Sequence, residues 1–152
     1  MRKVITAAFA LSTMAACSSG PTPAPSPMTA AYNGPAGAPD PTSAVRGFMA
    51  AAKLQSMQSL SMWWGDSHGA TRDMIARDEL EKRELIMLRC LKHDRYEVVG
   101  DALTTAGSRD VILTVKYHDS ENTTHLTVVP GPHSRWYVQN VDLKPLQSVC
   151  IV

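Results

Sequence analysis

The chain lacks a surplus of charge of either sign: 15 lysines and arginines stand against 14 aspartates and glutamates. Arg2 and Lys3 fall within the first 16 residues, so 13 cations and 14 anions remain from residue 17 onward, a net charge near −1. That balance provides no basic stripe for nucleic acid and no attraction to anionic headgroups, and nucleic acid is not expected as a partner. A bilayer-spanning run is lacking too. The apolar stretch from Val4 to Ala16 covers 13 residues, whereas a spanning helix needs roughly 20. Local patterns of chemistry are equally scarce. His68, His93, His118, His125 and His133 are scattered, with no HxxxH or CxxC spacing to hold a metal. There is no GxSxG, no glycine-rich phosphate loop and no Ser-His-Asp arrangement. No catalytic residue, metal or cofactor is assigned on this basis, and the chain is read as non-enzymatic.

What is present begins at the N-terminus. Met1-Arg2-Lys3 forms a short positive region, followed by the apolar run through Ala16, the layout of an export signal. The run ends in Met14-Ala15-Ala16-Cys17, which resembles the lipobox of bacterial lipoprotein signal peptides, with Met in place of the commoner Leu. The resemblance implies a cleaved signal at 1–16 and a thioether-linked diacylglycerol on Cys17, joined by a further palmitate-like chain on the freed amine. At about 0.8 kcal/mol per buried CH₂, one chain holds weakly and two or three hold permanently. It also implies a cell-envelope location. In a Gram-negative cell Ser18, where an Asp would favour inner-membrane retention, points to the periplasmic side of the outer membrane. The alternative is an ordinary secretory signal with Cys17 near the cut by chance.

Behind Cys17, residues 18–43 contain seven of the ten prolines together with Gly20, Gly34 and Gly37. Such a stretch has little apolar area to offset its ordering entropy, so 17–41 is expected to be an extended tether. At about 3.1 Å per residue, 26 residues reach roughly 80 Å.

Residues 42–152 are expected to fold. Asp40, Thr42 and Ser43 are N-cap residue types before a helix over 43–60, in which Val45, Phe48, Met49 and Ala52 recur at helical spacing. Gly65-Asp66 predicts a turn. A second helical stretch covers 71–92, either continuous or broken near Asp78. Glu81, Lys82, Arg83 and Glu84 are expected to be solvated, and "LIMLRCL" to be its most buried part. From Arg95 the period changes to two. Strands are predicted at 95–105, 109–119, 123–130 and 135–143, with Val111, Leu113, Val115 and Tyr117 sharing one face and Leu126 with Val128 another. Short turns between them predict an antiparallel meander. Helices first and strands after argue an α+β fold, the N-terminal helices covering one face of a curved antiparallel sheet of about four strands.

The opening "PTSAVRGFMAAAK", the dense "LIMLRCL" before the first strand and the closing "RWYVQNVDL" resemble the NTF2-like (cystatin-like α+β) superfamily over residues 42–145. The resemblance implies a cone of sheet around helices, in some members enclosing a ligand or catalytic pocket, and often a homodimer. Family enzymes use a pocket Asp or Tyr, and the candidates of those types are Tyr96, Asp101, Tyr117 and Asp142.

Cys90 ends the buried helical run, and Cys150 lies near the C-terminus. In an oxidising compartment a Cys90–Cys150 bridge is expected, the alternative being two free thiols. Trp63, Trp64, Tyr117 and Trp136 are candidate pocket residues, with core packing the competing role for the tryptophans. His118 and His125 are positioned to meet on one hairpin or to stand solvated. The leading functional reading is a membrane-tethered binding or structural module of the envelope. A second is a carrier of a small apolar ligand between helices and sheet, its cavity lined by Met57, Met62, Met74 and Met87. A third is a hydrolase or isomerase using a pocket carboxylate.

Overall fold

The computed structural model describes residues 34–104 and 106–150. The expected signal segment, Cys17 and residues 18–33 of the tether lie outside the described residues. The fold is α+β: helices come first and an open four-stranded antiparallel sheet follows.

Helix α1 (Pro41–Lys53) starts where its chemistry dictates. The Asp40 carboxylate accepts from the Ser43 backbone N–H at 2.8 Å and from the Ser43 hydroxyl at 2.7 Å, and Pro41 opens the first turn. The Ser43 hydrogen bonds hold the Asp40 carboxyl below the usual carboxylate range. Ala44, Val45, Phe48, Met49, Ala51 and Ala52 form its buried stripe. The helix is shorter than the expected 43–60. Gln55 takes a left-handed conformation (φ 52°), and its amide donates to the carbonyls of Ala52 (2.7 Å) and Leu88 (2.8 Å). One side chain thus satisfies carbonyls at the ends of two helices, and the chain resumes as the short α2 (Met57–Leu60).

A small hairpin follows, β1 (Gly65–Asp66) with β2 (Gly69–Ala70); Gly65 and Asp66, expected to turn, are strand, and the turn falls at Ser67-His68. Of the expected helix 71–92, residues 71–73 form a single tight turn, and α3 runs Arg77–Cys90. The break expected near Asp78 falls at Ile75-Ala76. Its burial differs from expectation in phase. Leu85 and Ile86 are 45% and 55% exposed, while Glu84 is 2% exposed with Met87, Leu88 and Leu91 beside it. Positions 84, 87, 88 and 91 follow helical spacing. One face is buried, and it carries the carboxylate.

The sheet is a meander of β3 (Arg95–Leu103), β4 (Arg109–Tyr117), β5 (Ser120–Pro130) and β6 (Trp136–Val141). Val111, Leu113, Val115, Leu126 and Val128 are buried under the helices, as their alternation predicts. Register shifts at Val98/Gly100 and Thr127/Val128 mark bulges, which bend a sheet. β5 begins three residues earlier than expected. The β4–β5 turn is only His118-Asp119, with His118 at φ 51°, and the Asp94 carboxylate accepts from its N–H at 2.8 Å.

The folded unit also begins before Thr42. Ala38 and Trp136 exchange backbone hydrogen bonds of 2.8 Å, and the Gly37 N–H donates to the Met62 carbonyl at 2.7 Å. The Arg135 guanidinium donates to the carbonyls of Pro35, Ala36 and Gly37. Of residues 35–41, which their prolines assign to the tether, 35–38 are instead held against Arg135 and Trp136, and Asp40 and Pro41 begin α1. Cys90 and Cys150 are joined by a disulfide, fastening the C-terminal helix α4 (Gln147–Cys150) to the end of α3.

Candidate binding groove

The space between helices and sheet is occupied by side chains. Phe48, Met49, Leu60, Leu113, Leu126, Val128 and Val138 are all fully buried there in one cluster. What remains is a hollow of about 100 Å³ between α1 and β3, lined by Thr42, Val45, Arg46, Tyr96, Val98, Asp101 and Val111. Small-molecule sites range from about 300 to 1,000 Å³. The hollow does unite two sequence candidates, Tyr96 and Asp101. Asp101, however, accepts from the Arg109 guanidinium at 2.8 Å, and burial raises the Tyr96 hydroxyl above its ordinary value.

The four candidate pocket residues do not converge. Tyr117 pairs with Ser120 at the start of β5, and Trp136 with Pro130 at its end. Ten residues of strand separate those partners, roughly 33 Å. The Tyr117 ring lies against that of His118, with centroids 4.1 Å apart and planes tilted by 49°. Trp63 lies on Gly47 of α1, where a Cβ would stand 2.5 Å from the indole. The Trp64 indole N–H donates to the Gln139 carbonyl at 3.3 Å. All three tryptophans pack on the core. The Asp142 carboxylate accepts from the Lys144 N–H at 3.1 Å. His118 and His125 do not meet, because His125 stands opposite Ile112, well along β5 from the turn, and its ring contacts Asp110 at 3.0 Å. The methionines scatter too: Met62 and Met87 are buried, Met57 and Met74 exposed.

A larger space opens elsewhere, between α2 and α3. It has a volume of about 580 Å³. Met57, Gln58 and Ser61 form one wall, and the turn before α3 adds Arg72, Asp73 and Ile75. The other wall is the face of α3 carrying Arg77, Leu80, Glu81 and Glu84. The Ser61 hydroxyl donates to the Gln58 carbonyl at 2.9 Å.

Glu84 sets the chemistry of this groove. It is buried, and its Oε1 has no hydrogen-bond partner. Burial pushes its carboxyl up to about 7, with the Glu81 charge adding to the effect. A buried acceptor left unmatched costs about 1–3 kcal/mol, more when charged. Both arginines of the groove already face carboxylates: Arg77 Nε donates to Glu81 at 2.7 Å, and Arg72 Nε lies 3.8 Å from Asp73. The charged run "ELEKRE" predicts a solvated Glu84, and the structure corrects this. The signal that finds it is the helical stripe through Leu80, Met87, Leu88 and Leu91.

Among the described residues, no group of three or more His, Cys, Asp or Glu side chains is arranged to hold a metal ion. No helix among them is long and apolar enough to cross a membrane. Comparison with known proteins returned no matching family model, no matching curated protein and no matching solved structure.

Proposed function

We propose that this chain is a lipid-anchored protein of the bacterial cell envelope whose folded domain is a non-enzymatic binding module, its ligand seated in the groove between α2 and α3. One observation carries the reading of the site: a space within the size range of small-molecule sites, holding a buried carboxylate oxygen that nothing inside the protein satisfies. Natural proteins pair such groups, and an unpaired one marks a position where an external group completes the bonding. The filled interior between helices and sheet favours this location over the apolar cavity expected there.

The anchor belongs to the same proposal and rests on Met14-Ala15-Ala16-Cys17 and Ser18. The proposed location is the periplasmic face of the outer membrane, with residues 18–34 as spacer. The finer fold reading, an NTF2-like cone, is supported by the order of helices followed by a bulged meander.

A heteronuclear NMR titration with the neutral amphiphile 2-phenylethanol tests the groove. The expected result is saturable shifts confined to amides of Ser61, Ile75, Leu80 and Glu84; shifts elsewhere, or none with either this alcohol or its ammonium analogue, overturn it. Labelled palmitate incorporation tests the anchor: the wild-type chain takes up label in the cell and Cys17→Ser does not, whereas equal labelling refutes lipidation.

The elevated Glu84 carboxyl also supports a second reading, general acid–base catalysis near neutral pH. The binding reading is preferred because no histidine or cysteine lines the groove and its one hydroxyl, on Ser61, is engaged with Gln58.

A further inference from the structure

We propose that the groove between α2 and α3 selects an organic cation bearing one ammonium group and an apolar body, the ammonium binding the Glu84 carboxylate. The proposal rests on the reading of the groove as a small-molecule site and deepens it by naming the ligand class. Charge complementarity carries it. The groove lining holds two arginines and three carboxylates. Arg77 is taken by Glu81 and Arg72 lies beside Asp73, so the unmatched charge is a single negative one on Glu84. An ammonium supplies both what the unpartnered Oε1 lacks, a hydrogen-bond donor, and the missing counter-charge. Met57, Ile75 and Leu80 form the apolar part of the lining, suited to a hydrocarbon body next to the charged head. A second carboxylate or phosphate on the ligand finds no free arginine there.

Because Glu84 must be ionised to hold the ammonium, affinity follows its titration. Around it, α3 presents Glu81 and Arg77, and the preceding turn presents Arg72 and Asp73. Helix α2 contributes Met57 and Gln58 there, and Ser61 follows it, none of them charged. Of the other elements packed on α3, α4 contains no charged residue. Helix α1 carries Arg46, which lines the separate Tyr96 hollow, and Lys53, whose ammonium donates to the Asp94 carbonyl at 2.7 Å. An alkylammonium keeps its charge between pH 6 and 8.5.

The test is calorimetric titration of the folded protein with 2-phenylethylammonium at pH 6 and pH 8.5, alongside the neutral isostere 2-phenylethanol. The ammonium is expected to bind about tenfold more tightly at pH 8.5, and the alcohol equally at both. Glu84→Gln is expected to abolish the pH dependence and weaken ammonium binding at pH 8.5 by about tenfold or more. Should that variant fail to fold, wild-type titrations at pH 6 in two buffers of different ionisation enthalpy serve instead, and close to one proton released per ammonium bound is expected. Equal binding of alcohol and ammonium at pH 8.5, or no proton release, overturns the cation proposal while leaving the groove reading intact. Failure of both compounds to bind overturns both.

Discussion

Two spaces beside helices are treated differently in this molecule. Between α1 and the sheet, Phe48, Met49, Leu113, Leu126 and Val128 fill the volume until about 100 Å³ remains. Between α2 and α3, about 580 Å³ is left open, and a carboxylate occupies a position in the buried stripe that the helical period reserves for an apolar side chain. The first region gains stability by excluding water and leaving no voids. The second forgoes such stability, since burying Glu84 without a partner opposes folding. Proteins tend to violate packing and hydrogen-bonding rules at functional positions, and the contrast between the two spaces is the structural ground for assigning function to the second.

The contrast can be broken from the packed side first. Phe48→Ala is expected to destabilise by about 3–5 kcal/mol, the range for emptying a buried aromatic site; a loss below about 1 kcal/mol in urea unfolding would show the interior to be loosely filled. Next in size is Cys150→Ala. The bridge joins residues 60 apart in sequence, and chain entropy assigns about 4 kcal/mol to such a loop. Chemical denaturation of the variant against the oxidised wild type measures it, and an unchanged midpoint would mean that α4 does not depend on the bridge.

Glu84 is expected to act with the opposite sign. The unfolded chain releases its proton near 4.5 and the folded protein near 7, so between these values the folded state holds the extra proton. Stability therefore falls as pH rises through that window, by roughly 3 kcal/mol in all. His93 opposes this trend: burial lowers its ring below the ordinary value, so its contribution is present above about 6.5 and declines as pH falls. The informative quantity is the difference between wild type and Glu84→Gln from pH 4 to 8.5. It should shift by about 3 kcal/mol in favour of the variant as pH rises, and a flat difference would mean that Glu84 ionises without penalty.

Smaller effects sharpen the comparison. Asp40→Ala removes the N-cap of α1 and should cost about 1 kcal/mol at pH 7. Since hydrogen bonds lower the Asp40 carboxyl, its contribution should fade as the pH drops below about 4. Ile86→Ser, on the exposed face of α3, should change stability by no more than about 0.5 kcal/mol in thermal unfolding. A loss of about 2 kcal/mol there would contradict the observed phase of the helix.

Residues governed by local rules are legible along the chain. Asp40 and Ser43 announce the start of α1, the alternation through Val111, Leu113 and Val115 announces β4, and two cysteines in a chain expected to be exported announce their bridge. Glu84 escapes such rules. Charge density along "ELEKRE" suggests a solvated face, whereas burial follows angular position, which Met87, Leu88 and Leu91 fix three to seven residues away. Residues 35–41 escape them as well, because proline and glycine suggest open chain. The carbonyls of that segment accept from Arg135, about 100 residues distant, and no local signal reports such a partner.

The α+β order, the meander, the α1 cap and the pairing of Cys90 with Cys150 thus follow from the order of amino acids. They depend on side-chain period and nearest-neighbour chemistry, which act within a few residues, and on the count of cysteines. Which space is filled and which is left open does not follow in that way. It depends on how α2, α3 and the turn at Arg72–Ile75 meet, and the unmatched Glu84 carboxylate exists only once distant segments have been brought together.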